Sequence, residues 1–132
     1  MKKIFLDANI LIDLISARRN VEGIEDTDFK QLYTSTLSVH ILFYVNRIKY
    51  NSAEEKRAKE ILKHISLTPL TETIIRHAYK VKYSDYEDTL QYLMAMHAGC
   101  NYILTRNKQD FEKVKKIIPS KIKIITNISQ IK

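Results

Sequence analysis

The stretch from Met1 to Ile15, MKKIFLDANILIDLI, restricts the fold more than any other part of this 132-residue chain. Ile4, Phe5 and Leu6 are apolar in succession, as in a strand buried on both faces of a parallel sheet. Asp7 ends the run, and Ile10, Leu11, Leu14 and Ile15 follow at helical spacing. Neither glycine nor proline separates the two patterns, so strand passes straight into helix. The order puts a carboxylate at the carboxyl end of a first strand, where open α/β sheets build their sites.

The remainder repeats the alternation. The first helix is expected to end near Ser16 or Ala17, Arg18 to Asp28 reads as a loop, and Asp26 to Tyr33 as a short helix. Ser35 to Tyr50 carries Leu37, Ile41, Leu42, Val45 and Ile48 at helical spacing. Ser52 and Glu55 form a capping box that opens a helix reaching about Ile65. Leu67 to Leu70 reads as a short strand or edge segment, and Thr71 to Lys80 as a further helix. Ser84 and Glu87 make a second capping box. The helix behind them, Asp85 to Ala98, is apolar on nearly every side and therefore buried. Gly99 stops it in the C′ position. Tyr102 to Leu104 is a strand, and Lys121 to Ile125 begins with the alternation of an edge strand. Strands separated by helices imply a parallel sheet covered on both faces. Residues 1–132 read as a single domain.

Composition narrows the function. The chain is 45% hydrophobic with a net charge of +7 and a pI near 9.4. That balance favours an anionic partner such as nucleic acid, although a merely soluble basic surface is common. Cys100 is the single cysteine, so no intrachain disulfide forms, and a reduced, cytoplasmic setting is expected. The apolar run after Met1-Lys2-Lys3 is broken by Asp7 and Asp13, unlike a signal peptide. No apolar stretch is long enough to span a bilayer, so no membrane is expected. The two glycines, Gly23 and Gly99, exclude a glycine-rich phosphate loop.

The acids carry the chemistry. Asp7 reads equally as a helix cap or as a ligand. Asn9 is either a second polar group at that strand end or part of the first turn. Asp85 and Asp88 lie on one side of a helix. The helix dipole explains Asp85, whereas Asp88 falls on a buried helix and needs a partner, for which a metal is one candidate. Asp110 follows the strand ending at Leu104, with Asn107 as either its helix's cap or a neighbour on the same sheet edge. Oxygen ligands of this kind suit Mg²⁺ or Mn²⁺, which can activate water beside a phosphodiester. His64, His77 and His97 have no ligand spacing. The tyrosines read mainly as core or interface, with base stacking open to some. Of the lysine-rich runs, Lys108 to Lys116 is the better candidate for tracking phosphates, because it borders Asp110.

FLDANILIDLI, DYEDTLQYLMAMHAGCNYILTRNKQDF and the spacing between them resemble the PIN domain family. The likeness covers essentially the whole chain. It is closest to the small stand-alone bacterial members, which include VapC-like toxins of toxin–antitoxin pairs. The resemblance implies a three-layer α/β/α sandwich around a mostly parallel sheet. It also implies a Mg²⁺- or Mn²⁺-dependent ribonuclease with an acidic pocket at the sheet's carboxyl edge. By position, Asp7 matches the first family acid and Asp88 the acid that opens the buried helix. Asn107 falls where many members carry an acid after T-R, and Asp110 is the nearest carboxylate that could replace it. Thr105 matches a polar residue lining the pocket. One departure stands out: the family's S-x-L-S-x-x-E segment reads Ser35 to Ile41 here, with Ile41 in place of Glu. Asp85 or His40 could compensate.

The sequence thus supports a metal-dependent endoribonuclease. Asp7, Asp88 and Asp110 would be catalytic and, with Asp85, metal-binding. Asn9, Thr105 and Asn107 would support them, while Arg106 and Lys108 contact RNA or, in the case of Arg106, pair with an acid. The alternative is a PIN-like RNA- or protein-binding module with weakened chemistry, motivated by Ile41. A phosphatase of the haloacid dehalogenase type ranks third, because Asp7-Ala8-Asn9 lacks that family's second Asp. Expected partners by resemblance are RNA, an antitoxin protein and a second copy in a homodimer. Candidate dimer surfaces are Leu37 to Ile48 and Ile61 to Ile65.

Overall fold

The computed structural model describes residues 2–16, 21, 23, 24, 30–83 and 85–131. In chain order the elements are β1 (Lys2–Leu6), α1 (Ala8–Ser16), β2 (Lys30–Ser35), α2 (Thr36–Val45), α3 (Ala53–Leu62), β3 (Ser66–Thr68), α4 (Glu72–Tyr79), α5 (Tyr86–His97), β4 (Tyr102–Leu104), α6 (Lys108–Ile117), β5 (Lys123–Ile125) and a 3₁₀ turn, Ile128–Gln130. The sheet has five strands in the order β3-β2-β1-β4-β5. Every neighbouring pair is parallel.

The period-two alternation of each strand divides the core. Phe5 and Ile103 face a cluster with Ile74, Ala78, Leu93, Phe111 and Val114, drawn from α4, α5 and α6. Ile4, Leu6, Tyr102 and Leu104 face the opposite cluster with Leu11, Ile15, Leu42 and Ala58, drawn from α1, α2 and α3. The molecule is therefore an α/β/α sandwich, as the alternation of strands and helices implied. Full burial of a leucine-sized side chain contributes about 1.5–3 kcal/mol, so these faces supply the main driving force.

Several boundaries differ from the sequence reading. The short helix expected over Asp26 to Tyr33 is not formed where it can be judged: Lys30 to Tyr33 belong to β2, and residues 26–29 lie outside the described residues. Leu32 pairs with Ile4 and packs on one face, while Tyr33 packs on the other, so pairing with β1 overrides helix propensity. Helix α2 stops at Val45, well before Tyr50. Arg47 takes a left-handed φ of 49°, Ile48 N donates to Phe43 O and Arg47 N to Tyr44 O. That is a Schellman stop built without glycine. The same device ends α5 at Gly99, where Cys100 N donates to Ala95 O. The first capping box holds in modified form: Ser52 caps Glu55 N, while Glu55 reaches back to Asn51 N. In the second, Asp85 is the cap and accepts from Asp88 N. Ser84 lies outside the described residues, as do the helix-ending alternative Ala17 and most of the Arg18 to Asp28 loop.

Strand β1 continues through α1 to β2 on one side of the sheet, and β4 continues through α6 to β5 on the other. The switch point lies between the carboxyl ends of β1 and β4, where such sheets leave a crevice. No helix among the described residues is long and apolar enough to cross a membrane.

Candidate active site

Asp7 is the first residue beyond β1, and its N–H donates to Leu104 O at 3.0 Å, extending the ladder across the switch point. Its own carbonyl receives Ile10 N and Leu11 N and starts α1. The side chain does not act as an ordinary cap, which would bond the second or third helical N–H. Instead Oδ1 accepts from Ala8 N at 2.8 Å and Oδ2 accepts from Thr105 Oγ1 at 2.7 Å. Thr105, the first residue beyond β4, also accepts from Asn107 N at 2.9 Å. One hydroxyl thus locks the first acid to the turn that leaves the neighbouring strand. Asp7 is only 3% exposed. Burial raises its pKa, against the bonds from Thr105 and Ala8 and the positive charge of Arg106; the charge of Asp85 adds to the rise.

Asp85 and Asp88 arrive on α5. Asp85 is exposed at the N-cap, and Asp88 is 7% exposed in the first turn. Burial is the chief reason that the Asp88 carboxyl rises to about 8, followed by repulsion from Asp85 and, further off, from Asp7 and Asp110. Asp110, in the first turn of α6, is half-buried, and Asn107 stands at the cap position without a side-chain capping bond. The structure therefore brings Asp7, Asp85 and Asp110 within electrostatic reach of Asp88, and Asp85 within reach of Asp7. Asp85 and Asp88 meet side chain to side chain, but among the described residues no three acids, histidines or cysteines are placed to share an ion as the side chains stand. The donor set is nevertheless all oxygen, and the unrelieved repulsion at Asp88 is what a hard divalent cation would remove.

The polar rim is more ordered than the sequence revealed. Arg106 Nε pairs with Asp13 Oδ2 at 3.0 Å, and Nη2 with Oδ1 at 3.4 Å. Arg106 N approaches Asn9 Oδ1 at 3.4 Å. Asn9 and Asp13 lie one turn apart on α1, so this face clamps the turn after β4. Sequence reasoning took Asp13 only as a break in an apolar run. Its charge within an otherwise apolar helix was the signal, and Arg106 does pair with an acid, Asp13. Lys108 is exposed at the start of α6. Glu87 is a further acid that sequence reasoning assigned only to a cap; burial raises its pKa first, then the charges of Asp7 and Asp85.

A second buried network steadies α5. Ser35 Oγ donates to Gln91 Oε1 at 2.6 Å, and Gln91 Nε2 donates to Ser38 Oγ at 2.8 Å. Ser35 also accepts from Ser38 N, capping α2. The end of β2, the start of α2 and the turn of α5 following Asp88 are thereby tied together. Ile41 is half-buried further along α2. His40 is exposed and stacks on Tyr44, with ring centroids 6.0 Å apart.

With this arrangement in view, comparison with known proteins is direct. The PIN domain family matches residues 4–117, and the chain belongs to that family. Among curated proteins it is 27% identical over 120 residues to Ribonuclease VapC1 of Aquifex aeolicus (strain VF5), covering 81% of this chain and 83% of that protein. It is, in that sense, a VapC-like PIN protein. Two solved structures share the fold. One is VapBC2 from Rickettsia felis bound to a DNA fragment from their promoter, with a TM-score of 0.70, 15% identity and coverage of 93% and 97% of the two chains. The other is FitAB bound to the IR36 DNA fragment, with a TM-score of 0.60, 16% identity and coverage of 92% and 93%.

Proposed function

We propose that this chain is a metal-dependent endoribonuclease and the toxin of a toxin–antitoxin pair. The observation that carries the reading is the gathering of carboxylates at the β1/β4 switch point, with Asp88 raised to about 8 by burial and by its neighbours' charges. Likeness to a VapC ribonuclease supports RNA as the substrate. Asp7, Asp88 and Asp110, with Asp85, would hold Mg²⁺ or Mn²⁺. Once bound, the ion would supply a polarised phosphodiester and an activated water.

The chain's own residues perform the remaining tasks. Thr105 fixes the Asp7 carboxylate, and Asn9 and Asp13 hold the Thr105–Asn107 turn through Arg106. Asp88, its carboxyl raised to about 8, holds a proton near neutral pH that it would give up on holding a cation. Asn107 and Lys108 edge the crevice at the start of α6, where Lys108 would meet phosphate. Asp7→Asn should abolish RNA cleavage in Mn²⁺ while leaving the circular dichroism spectrum unchanged. Full activity in that variant would reject the site.

An antitoxin partner is proposed because both solved relatives are assemblies bound to DNA. A homodimer is proposed through α2, where Tyr44 and Val45 are exposed; mass by light scattering tests it. The lone buried Cys100 supports a reducing, cytoplasmic setting. The second reading, a binding module with weakened chemistry, draws on Ile41 and on the fact that, among the described residues, no three acids, histidines or cysteines are placed to share an ion. Titration calorimetry with Mn²⁺ separates the two, since no heat at millimolar metal would favour the module.

A further inference from the structure

Helix α6 opens Lys108-Gln109-Asp110-Phe111-Glu112 and continues Lys113-Val114-Lys115-Lys116, with Lys121 just before β5 and Lys123 at its start. From Lys113 to Lys123 stand five lysines and no acid. Lys108, Lys113, Lys116, Lys121 and Lys123 are exposed, and Lys115 is half-buried. Phe111 and Val114 bury the opposite face of α6 against the core. Lys108, Gln109, Glu112, Lys113 and Lys116 line one open groove along the outer side of the helix. Glu112, the acid among them, is half-buried.

An ordinary solvated helix face balances its charges, and α3 does so: Lys59 pairs with Glu55 at 3.5 Å and Lys63 with Glu60 at 3.1 Å. Among the described residues no ion pair involves Lys108, Lys113, Lys115, Lys116, Lys121 or Lys123. Lys113 and Lys116 stand three apart on one helix face, where like charges cost stability. Folding does not call for that arrangement, and an anionic ligand would relieve it. Lys123 has an ordinary task as a guard on an edge strand, so the inference rests on α6. The course of the helix decides which anion. α6 leaves β4 at the carboxyl edge of the sheet, beside Asn107 and Asp110, and delivers the chain to the start of β5 at the opposite edge. The groove therefore begins at the rim of the crevice and runs about 12 Å away from it between Lys108 and Lys116. A polyanion lying in the crevice can continue along such a row, charge after charge, whereas a single small anion meets only one lysine.

We propose that Lys113 and Lys116, continuing from Lys108, form a track for the phosphate backbone of RNA on one side of the scissile bond. This rests on the ribonuclease reading and places the part of the substrate that lies beyond the reacting phosphate. The test measures binding of a fluorescein-labelled, mixed-sequence RNA of about twelve nucleotides to the Asp7→Asn protein in EDTA over a range of salt concentrations, in parallel with cleavage by the otherwise native protein in Mn²⁺. Lys113→Gln with Lys116→Gln removes two charges and keeps good helix formers. Lys56→Gln with Lys59→Gln removes the same charge from the exposed face of α3. Lys113→Arg with Lys116→Arg keeps both charges.

The α6 glutamine variant should bind more weakly, and its slope of log affinity against log salt should be shallower by about 1.5, as loss of two phosphate contacts implies. The α3 variant should keep the parent's slope, and the arginine variant should match the parent throughout. In cleavage, KM for the longer RNA should rise in the α6 variant with kcat unchanged, while a trinucleotide, too short to reach Lys116, should be cut equally well. Equal slopes in the two glutamine variants, with the native protein cleaving, would overturn the track alone. Absence of cleavage by the native protein, with the slope still lowered only in the α6 variant, would overturn the nuclease reading and keep the track. Unchanged RNA binding in the α6 variant, with affinity for a poly-glutamate peptide lost, would overturn the track in favour of an acidic protein segment. Melting curves of each variant separate loss of contact from unfolding.

Discussion

Replacing Asp88 by asparagine probes the electrostatics of the crevice without requiring any catalysis. The carboxyl rises from 3.8 to about 8, chiefly through burial and then through the charge of Asp85. A carboxyl raised in the folded chain keeps its proton there after the unfolded chain has lost it. Its contribution to stability is therefore whole below about pH 4 and is lost progressively as pH climbs towards about 8. At about 1.4 kcal/mol for each tenfold change in proton affinity, the ceiling is on the order of 6 kcal/mol. Asp85 is exposed, so water and salt screen its share, and about 2–3 kcal/mol is the expected loss. For a chain of this size that corresponds to roughly 10 °C in melting temperature. The introduced amide cannot ionise and is close in shape to the protonated carboxyl of Asp88. In EDTA, the variant should match the parent near or below pH 4 and melt roughly 10 °C higher near pH 9. Titrating groups away from Asp7, Asp85 and Asp110 are common to both proteins and cancel in the difference. Parallel melting curves for the two proteins across this range would refute the reasoning and remove the main electrostatic support for a cation site.

Two further outcomes follow from the same coordinates. Binding of Mn²⁺ to the native protein should release a proton near pH 7, because the ion requires Asp88 ionised. Calorimetry in buffers of different ionisation enthalpy measures it, and Asp88→Asn should bind without that release or not at all. Gly99→Ala should lose about 1 kcal/mol in urea denaturation, because φ there is +72° while a new Cβ would meet only Lys3 Nζ at 4.0 Å. A loss above about 3 kcal/mol would mean that close packing, rather than backbone conformation, selects glycine.

Much of the fold was legible because its signals are local. The run Ile4 to Leu6, the acid behind it and the helical spacing of Ile10 to Ile15 state a buried strand and its crossover without reference to the rest of the chain. β2 was less legible, since Lys30 and Gln31 open it with polar residues and only pairing with Lys2 and Lys3 reveals the strand. The start of α5 was ambiguous for a different reason. Ser84 to Glu87 and Asp85 to Asp88 both satisfy the spacing of a cap, and spacing alone cannot choose between them. The pairs that define the site's rim were not legible at all. Thr105 reaches Asp7 across 98 positions and Arg106 reaches Asp13 across 93, so no local pattern announces either bond. The buried Gln91 belongs with these, because its partners Ser35 and Ser38 lie far upstream.

The division of charge bears on what the crevice needs. The chain carries +7 overall, which draws an anionic polymer towards it. Yet the switch point gathers Asp7, Asp85, Asp88 and Asp110, where burial first, and then the charge of neighbouring acids, raises the carboxyls of Asp7 and Asp88. Among the described residues the cation whose charge reaches Asp7 is Arg106, and its guanidinium is already paired with the buried Asp13. A phosphodiester arriving at that point would add negative charge to a place already short of positive charge. Protonating Asp88 relieves one charge but leaves Asp7 facing the phosphate. A divalent cation held by these carboxylates would relieve both. The charges at the crevice thus support the proposed metal on grounds independent of the family to which the chain belongs.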